Sequence, residues 1–274
     1  MENIEILKGM INEGVIPRYV CKYRPILIYE SSKSIFNLLK ESYLWFASAN
    51  HFNDPFDCQL AIDYEAEIEE VENWLLLIKS NKFSYNNVDI KNMAIELYND
   101  KNQIKKHIDD LIQNNRICCF SKEYDNILQW SHYADSHHGV CLVFDILEDP
   151  IFFQETFSVD YRVDFEKFNL FKDFNTFVKK RLLPKYKAWG YEKEIRSFSD
   201  QIGSRKFQKT SLVKMIFGCN ISIEHKTTLI QLVSDLKYPN VEFIQAHKKT
   251  IPNISLISLV FSPITLIHHT NPSR

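Results

Sequence analysis

Several segments of this chain carry apolar residues at helical spacing, which predicts amphipathic helices. The clearest are residues 65–79 and residues 88–113, the second with an interruption near Asn99 and Asp100. Together they predict a helical insertion near residues 64–113. Further helices are predicted at residues 32–40 and 228–236. Residues 167–183 are also predicted to be helical, up to the residue before Pro184, whose ring prevents an undisturbed continuation.

Short runs of β-branched and aromatic residues between these segments predict strands. The runs cover residues 43–47, 117–120, 140–144, 157–163, 195–198, 212–217, 241–246 and an apolar tail at 254–267. Helices that alternate irregularly with short strands predict an α+β fold with a mixed or antiparallel central sheet and flanking helices. Because no linker or repeat divides the chain, we expect a single domain over residues 1–274.

Glycine is scarce, with 6 glycines among 274 residues. Neither a dinucleotide-binding glycine motif nor a P-loop is present, so a bound nucleotide would be held without a glycine-rich phosphate loop. The formal charge of −2, from 33 basic and 35 acidic residues, does not favour non-specific nucleic-acid binding. The 6 cysteines form no C-x-x-C motif and indicate a reducing compartment. With no apolar leader or membrane span, we expect a cytoplasmic protein without membrane association.

The predicted strand that ends at residue 47 is followed by a turn-rich segment, S-A-N-H-F-N-D-P-F-D-C. One interpretation is a structural turn at the end of the strand, filled by Phe52 and Phe56. The alternative is that Asn53, Asp54 and Asp57 contact a ligand or a metal at the edge of the sheet. Both interpretations remain open from the residues alone.

A second segment combines Ser121 with a dense group of rings further along, L-Q-W-S-H-Y-A-D-S-H-H-G. Trp130, His132, Tyr133 and His138 supply stacking surfaces, hydrogen bonds and proton carriers. A buried aromatic cluster with hydrogen-bonded imidazoles is the main alternative to a ligand site. The histidine and cysteine spacings match no familiar zinc pattern, so no metal is predicted.

A third segment, W-G-Y-E-K-E-I-R, begins at Trp189. In a strand, Glu192, Glu194 and Arg196 would share one face because alternate side chains do. The arrangement is typical of a solvated row of ion pairs. Two carboxylates at this spacing can also divide catalytic work, one stabilising positive charge and one taking a proton.

Two basic features complete the candidates. Arg24 lies in a predicted strand beside Tyr23 and is able to bind a phosphate or carboxylate. The basic residues at 179–187 are explained better by a solvated helix face than by nucleic-acid binding.

The motifs also occur in a recognisable order along the chain. That order is Y-R, F-A-S, F-N-D-P-F-D, C-F-S, Q-W-S-H-Y-A-D, H-G-V and Y-E-K-E-I-R. From about residue 20 to Gly218 the chain resembles the bacterial domain-of-unknown-function 2971 family. Gln129 and Ile195 differ from the residues common in that family. The family name implies no activity.

More distantly, the chain resembles the arginine-serine-glutamate class of ADP-ribosyltransferases. The resemblance implies that Arg24 contacts NAD phosphate or ribose, that Ser48 braces the nicotinamide pocket, and that Glu194 stabilises an oxocarbenium-like transition state. It also implies that Glu192 activates the acceptor. The serine motif of that class is reduced here to S-A-N, and Ser121 competes with Ser48 for the role.

Three hypotheses for function follow. The leading one is an NAD-consuming ADP-ribosyltransferase-like enzyme or glycohydrolase in a toxin or anti-phage defence context, with NAD as substrate and a nucleotide as small-molecule partner. The second is a metal-dependent nuclease that uses clustered carboxylates, Asp54, Asp57, Glu192 and Glu194, with residues 179–187 on the nucleic acid. The third is a non-catalytic ligand-sensing or partner-binding module. The sequence does not determine the oligomeric state.

Overall fold

A computed structural model describes residues 2–26, 34–58, 62–82, 87–100, 102, 105–106, 116–165, 167–173, 176, 180, 182–199, 203–250 and 257–264. The helices are α1 (Glu2–Asn12), α2 (Ile35–Glu41), α3 (Ile68–Lys82), α4 (Asn87–Asn99), α5 (Ile127–Tyr133), α6 (Leu170–Asp173) and α7 (Ile223–Asp235). The strands up to the middle of the chain are β1 (Tyr19–Arg24), β2 (Tyr43–Ser48), β3 (Ile62–Asp63), β4 (Arg116–Ser121), β5 (Val140–Asp145), β6 (Thr156–Ser158) and β7 (Asp160–Arg162). The later strands are β8 (Phe168–Asn169), β9 (Pro184–Tyr186), β10 (Glu194–Ser199), β11 (Gly203–Lys206), β12 (Leu212–Phe217), β13 (Glu242–Thr250) and β14 (Ile257–Pro263).

Polar side chains start the helices that pack on the sheet. Ser34 accepts a hydrogen bond from the Asn37 amide at the start of α2, and Ser222 accepts one from the His225 amide at the start of α7. Asn126 accepts hydrogen bonds from the first amides of α5. These caps satisfy backbone donors that have no partner within the helix.

Within the described ranges, no helix is both long and apolar enough to cross a membrane.

The main sheet is mixed and mostly antiparallel, which confirms the α+β prediction. Its strands follow the order β11-β2-β4-β1-β5-β12-β13-β14, and β10 pairs with both β4 and β6. The pairing of β12 with β13 is parallel, whereas the other pairs in this sheet are antiparallel.

Strand β4 is the branch point of this sheet. Along one edge it pairs with β10 over its whole length. On the other edge it pairs with β2 at Ile117 and with β1 at Ser121, so β1 and β2 separate between these two positions. In the gap, the Cys119 carbonyl oxygen accepts a hydrogen bond from Lys22 Nζ at 2.5 Å. A lysine side chain therefore takes the place of a neighbouring strand, and the sheet opens beside it.

The two faces of the sheet carry separate apolar clusters. Side chains directly opposite each other on antiparallel strands share a face, and the pairs Phe120 with Ile195 and Ile117 with Phe198 lie in different clusters. The helical insertion packs on the face of the sheet that carries Ile117, through Trp74 of α3. The Trp74 ring contacts the Phe171 ring edge-on, with 5.6 Å between the ring centroids.

The helix predictions are confirmed at α2, α3 and α7, and α4 ends at Asn99, where the interruption was expected. Most of residues 100–113 lie outside the described residues. The prediction of a helix over residues 167–183 is confirmed in part. Its start is wrong, because Phe168 and Asn169 form β8, whereas α6 follows and the described residues Thr176, Lys180 and Leu182 have 3₁₀ or π-helical backbone. The strand β9 begins at Pro184, where the helix was expected to end, and pairs in parallel with β7.

Candidate functional site

A cleft of about 370 Å³ opens where β1 and β2 separate along β4. Residues of β1, β2 and β4 line it together with the turn after β2, helix α5 and the segment that leads into β10. Aromatic side chains make up much of the lining, and charged groups converge within it. The cleft is therefore a product of the split in the sheet.

Arg196 is fully buried beneath the cleft and binds two carboxylates. Its Nε atom donates to Glu194 Oε1 at 2.8 Å, and its Nη2 atom donates to Asp57 Oδ2 at 2.6 Å. Its Nη1 atom donates to the Leu182 carbonyl oxygen at 2.5 Å. The ring of Phe52 lies 5.3 Å from the guanidinium carbon. These contacts hold Arg196 in place beneath the cleft, because a buried guanidinium needs partners for its donors.

Lys185 is the second buried cation of the site. Its Nζ atom lies 2.6 Å from Glu192 Oε2, 2.8 Å from Glu194 Oε2 and 3.5 Å from Asp57 Oδ2. The ring centroid of Trp189 lies 5.1 Å from the same atom. The three carboxylates and two cations of this group, Asp57, Glu192, Glu194, Lys185 and Arg196, are called the charge cluster below. Its formal charges sum to −1.

The charge cluster keeps Glu194 and Lys185 ionised. Burial acts to raise the pKa of Glu194, but the charges of Arg196 and Lys185 outweigh it and lower that pKa to about 2. Burial acts to lower the pKa of Lys185, and the charges of Glu194, Glu192 and Asp57 raise it well above the ordinary lysine value. Glu194 is therefore a carboxylate, and Lys185 an ammonium, at neutral pH.

Helix α5 holds Glu192 from the other side. Tyr133 donates its hydroxyl to Glu192 Oε1 at 2.5 Å, and Gln129 Nε2 donates to the Glu192 carbonyl oxygen at 2.7 Å. The Ser121 hydroxyl donates to the same carbonyl oxygen at 2.8 Å. Burial and the hydrogen bond to Glu192 raise the pKa of Tyr133. Both the side chain and the backbone of Glu192 are thus fixed.

Strand β10 begins at Glu194, one residue before the predicted start at Ile195. Glu192 therefore lies outside the strand, and the shared strand face considered for Glu192, Glu194 and Arg196 holds for Glu194 and Arg196. Glu192 ends a 3₁₀ helix over Lys187–Glu192, and Lys193 then has a left-handed φ of 43°. Glu192 and Glu194 nevertheless meet at Lys185 because the turn brings Glu192 back over the end of the strand.

The segment after β2 forms the turn of the first interpretation and also carries Asp57 to the charge cluster. Asp54 Oδ1 accepts a hydrogen bond from the Phe56 amide at 2.9 Å and so stabilises a turn. The same turn delivers Asp57 to Arg196. The prediction that Phe56 fills the turn is wrong, since 82% of Phe56 is exposed. Burying Asp57 and Cys58 under the sheet leaves Phe56 on the outside.

Strand β1 supplies positively charged side chains to the cleft. Lys22 and Arg24 both line the cleft, and burial lowers the pKa of Arg24. Trp45 of β2 lines it as well, although 56% of Trp45 is exposed. The cleft therefore joins a cationic wall and an exposed indole ring to the acidic charge cluster.

Most of the candidate residues from the sequence meet in this cleft. Those in its lining are Arg24, Asn53, Asp54, Asp57, Ser121, Tyr133, Trp189, Glu192 and Glu194. Those outside its lining are Ser48, Trp130, His132, His138 and Arg196.

The residues outside the lining have identifiable positions. Ser48 pairs with Arg116, so it faces the other side of the sheet from Ala47, which does line the cleft. Trp130 is fully buried, and its Nε1 atom donates to the Tyr124 carbonyl oxygen at 2.7 Å. His132 and His138 are exposed on the protein surface.

The lining residues that were missed as site candidates include Lys22, Trp45, Gln129 and Lys185. Lys22 alternates with Arg24 in the sequence, which is a usable signal for a shared strand face. Gln129 stands out only as a departure from the family pattern. Lys185 belongs to the basic stretch predicted to be a solvated helix face, but it is buried in β9. No local pattern indicates that inward direction.

Among the described residues, no group of three or more histidine, cysteine, aspartate or glutamate side chains has the arrangement of a metal site. The space between Asp57, Glu192 and Glu194 is taken by the Lys185 ammonium.

The comparisons with known proteins give one family match. A model of the family described as "Protein of unknown function (DUF2971)" matches residues 129–197. The matched stretch contains Gln129, Tyr133, Lys185, Glu192 and Glu194, and so covers the charge cluster apart from Asp57. No curated protein and no solved structure matches the chain.

Proposed function

We propose that the cleft binds NAD and cleaves its bond between nicotinamide and ribose, passing the ADP-ribose to water or to an acceptor group. The observation that carries this proposal is that Arg24 and Glu194, the two residues that the resemblance pairs across NAD, line the same cleft. Cys21 and Glu194 both pair with Ser121, so Arg24 and Glu194 lie on opposite faces of the sheet, and NAD would reach both through the gap between β1 and β2. Ser121, the alternative to Ser48, lines the cleft too.

The charge distribution supports a substrate with an anionic and a cationic part. Lys22 and Arg24 supply positive charge on one wall, where the diphosphate would bind. The charge cluster has a formal charge of −1, which favours the positively charged nicotinamide ring and the positive charge that develops on the ribose carbon as the bond breaks.

The chemical step needs few protein groups. The bond between ribose C1′ and the nicotinamide nitrogen breaks, and nicotinamide leaves as a neutral molecule with the electron pair. A lone pair of water or of the acceptor forms the new bond to C1′, and the released proton passes to Glu192. Tyr133 and Lys185 hold the Glu192 carboxylate in place for this transfer.

The adenine or nicotinamide ring has suitable platforms in the cleft. Trp45 and Trp189 both line it, whereas Trp130, the ring singled out from the sequence, is fully buried in the core. We therefore assign stacking to Trp45 and Trp189.

The metal-dependent nuclease fits the geometry less well. Two-metal catalysis needs free carboxylates around a divalent cation, and Lys185 Nζ already lies within 3.5 Å of all three carboxylates of the charge cluster. A metal ion would have to displace a buried ammonium.

The test is nicotinamide release from NAD by the purified protein, measured by chromatography, with NAD binding measured separately by calorimetry. Glu194→Gln is expected to lower the rate roughly 100-fold, because it removes the charge that stabilises the transition state. Arg24→Met is expected to weaken NAD binding about tenfold, through loss of one ion pair. Circular dichroism confirms that each variant is folded.

Glu5→Gln is the matched control, since Glu5 lies in an exposed ion pair of α1 and does not line the cleft. An unchanged rate in Glu194→Gln would remove Glu194 from the mechanism. Absence of NAD binding by the unaltered protein would contradict the proposal as a whole. Binding without turnover would favour the ligand-sensing hypothesis instead.

A further inference from the structure

A second cleft, with a volume of about 560 Å³, adjoins the first. Its apolar lining comes from the turn after β2, the segment after β7 and the start of the β9 region. The side chains concerned are Phe56, Val163, Phe165, Pro184, Tyr186 and Trp189.

Four of these side chains are unusually exposed for apolar groups. The exposed fraction is 82% for Phe56, 56% for Val163, 48% for Tyr186 and 40% for Phe165. Contact of such groups with water is unfavourable by about 25 cal/mol for each Å² of apolar surface. An apolar surface concentrated in one concave site is typical of a binding site rather than of scattered exposed residues.

The two clefts share a wall. Asp54, Lys185 and Trp189 line both of them. The Trp189 ring lies over Lys185 Nζ at 5.1 Å, and Lys185 in turn contacts Glu192 and Glu194. A group bound in the second cleft is therefore separated from the carboxylates of the first by two side chains.

The charges around the second cleft select the class of occupant. Its charged lining residues are Asp54 and Lys185, and the Lys185 charge is opposed by the three carboxylates of the charge cluster. With Asp54 included, the formal charge of this region is −2. Phosphates are repelled by such a region, whereas an apolar side chain in a neutral or basic peptide is not.

We propose that the second cleft binds an apolar side chain of a protein acceptor and thereby holds the modified residue next to the charge cluster. The assignment of the occupant as an acceptor rests on the proposed function. The binding of an apolar peptide group does not, and it is tested first, without NAD.

The binding probe is N-acetyl-phenylalaninamide, with N-acetyl-serinamide as the polar comparison. The chain has 4 tryptophans, and their indole NH signals are followed by NMR, with Trp189→Phe identifying the relevant signal. The phenylalanine probe is expected to shift the Trp189 signal and to leave that of buried Trp130 in place. The serine probe is expected to shift neither.

Val163→Asp is expected to weaken the phenylalanine probe about tenfold, because a carboxylate would then face an apolar group. Ile223→Asp is the matched control, since Ile223 is 79% exposed outside either cleft. Equal binding in Val163→Asp and the unaltered protein would overturn the proposal. The proposal would also be overturned if a short single-stranded oligonucleotide shifted the Trp189 signal at a lower concentration than the phenylalanine probe does.

The acceptor role is tested with NAD and two synthetic peptides that differ only in one phenylalanine or serine. The ratio of peptide labelling to nicotinamide release is expected to be higher for the phenylalanine peptide and to fall in Val163→Asp. An equal ratio for both peptides would overturn the acceptor role. If nicotinamide is never released, the proposed function fails, while the result of the binding experiment stands on its own.

Discussion

Arg196 Nη2 lies 2.6 Å from Asp57 Oδ2, although 139 positions of the chain separate the two residues. The contact joins the turn after β2 to the middle of β10, and both partners are almost completely buried. Because Arg196 also binds Glu194, the position of one carboxylate is tied to that of the other. The buried guanidinium thus fixes two of the three carboxylates of the charge cluster.

Arg196→Met is expected to destabilise the protein by about 3–5 kcal/mol, since it removes the guanidinium that pairs with buried Asp57 and Glu194 and leaves Lys185 as the cation beside them. The free energy of unfolding in urea is the measurement. Lys8→Met, which breaks the exposed pair with Glu5, is the control and is expected to cost about 0–1 kcal/mol. Similar losses in the two variants would show that the buried pair contributes little.

Stability is expected to fall as the pH drops from about 4.5 towards about 2. The pKa of Glu194 is lowered from 4.5 to about 2 in the folded protein, so the folded state favours the carboxylate. Its contribution is present above the unfolded pKa and is lost as the pH falls through the folded pKa. Glu194→Gln is expected to flatten this part of the profile of unfolding free energy against pH. Glu5→Gln should leave the slope of this profile unchanged. A Glu194→Gln profile parallel to that of the unaltered protein would contradict the lowered pKa of Glu194.

Gly139→Ala is expected to destabilise the protein by about 2 kcal/mol or more. A Cβ atom at this position would overlap the carbonyl oxygens of Arg24 and Ala134, and neither backbone can move cheaply. Gly9→Ala is the matched control. A Cβ atom there has no neighbour within 4 Å, so alanine should stabilise α1 by about 0.5–1 kcal/mol. The measurement is thermal unfolding, whose midpoint is expected to fall in Gly139→Ala and to rise in Gly9→Ala.

Tyr133→Phe removes the hydrogen bond to Glu192 Oε1 and keeps the ring. We expect a loss of about 1.5–3 kcal/mol in unfolding free energy, the range for a hydrogen bond to a charged group. We also expect a lower maximal rate of nicotinamide release, with the KM for NAD little changed, because Tyr133 positions Glu192 for the proton transfer. Tyr98→Phe, at a 41% exposed site on α4, is the control. A change in KM alone would place Tyr133 in substrate binding instead.

The family model and the candidate site overlap only in part. The match at residues 129–197 includes Tyr133, Lys185 and Glu194 but neither Arg24 nor Asp57. The family pattern thus describes the charge cluster apart from Asp57, and the cationic wall comes from sequence outside the match.

Local pattern determined the parts of this protein that depend on neighbouring residues. Apolar spacing predicted α3 and the end of α4, and alternation along β10 placed Glu194 and Arg196 on one face. The Asx turn at Asp54 was also foreseeable, since its hydrogen bond reaches only two residues along the chain. Such features follow from backbone geometry and short-range hydrogen bonds.

Tertiary structure alone decided the rest. The separation of β1 from β2 along β4 created the cleft, the strand register turned Ser48 away from it, and burial of Lys185 completed the charge cluster. Each of these depends on which strands pair and on which charges meet after folding. The local sequence around a lysine in a basic stretch is the same whether its side chain is solvated or lies among three carboxylates. Only the long-range contacts that offset the cost of desolvation distinguish the two cases.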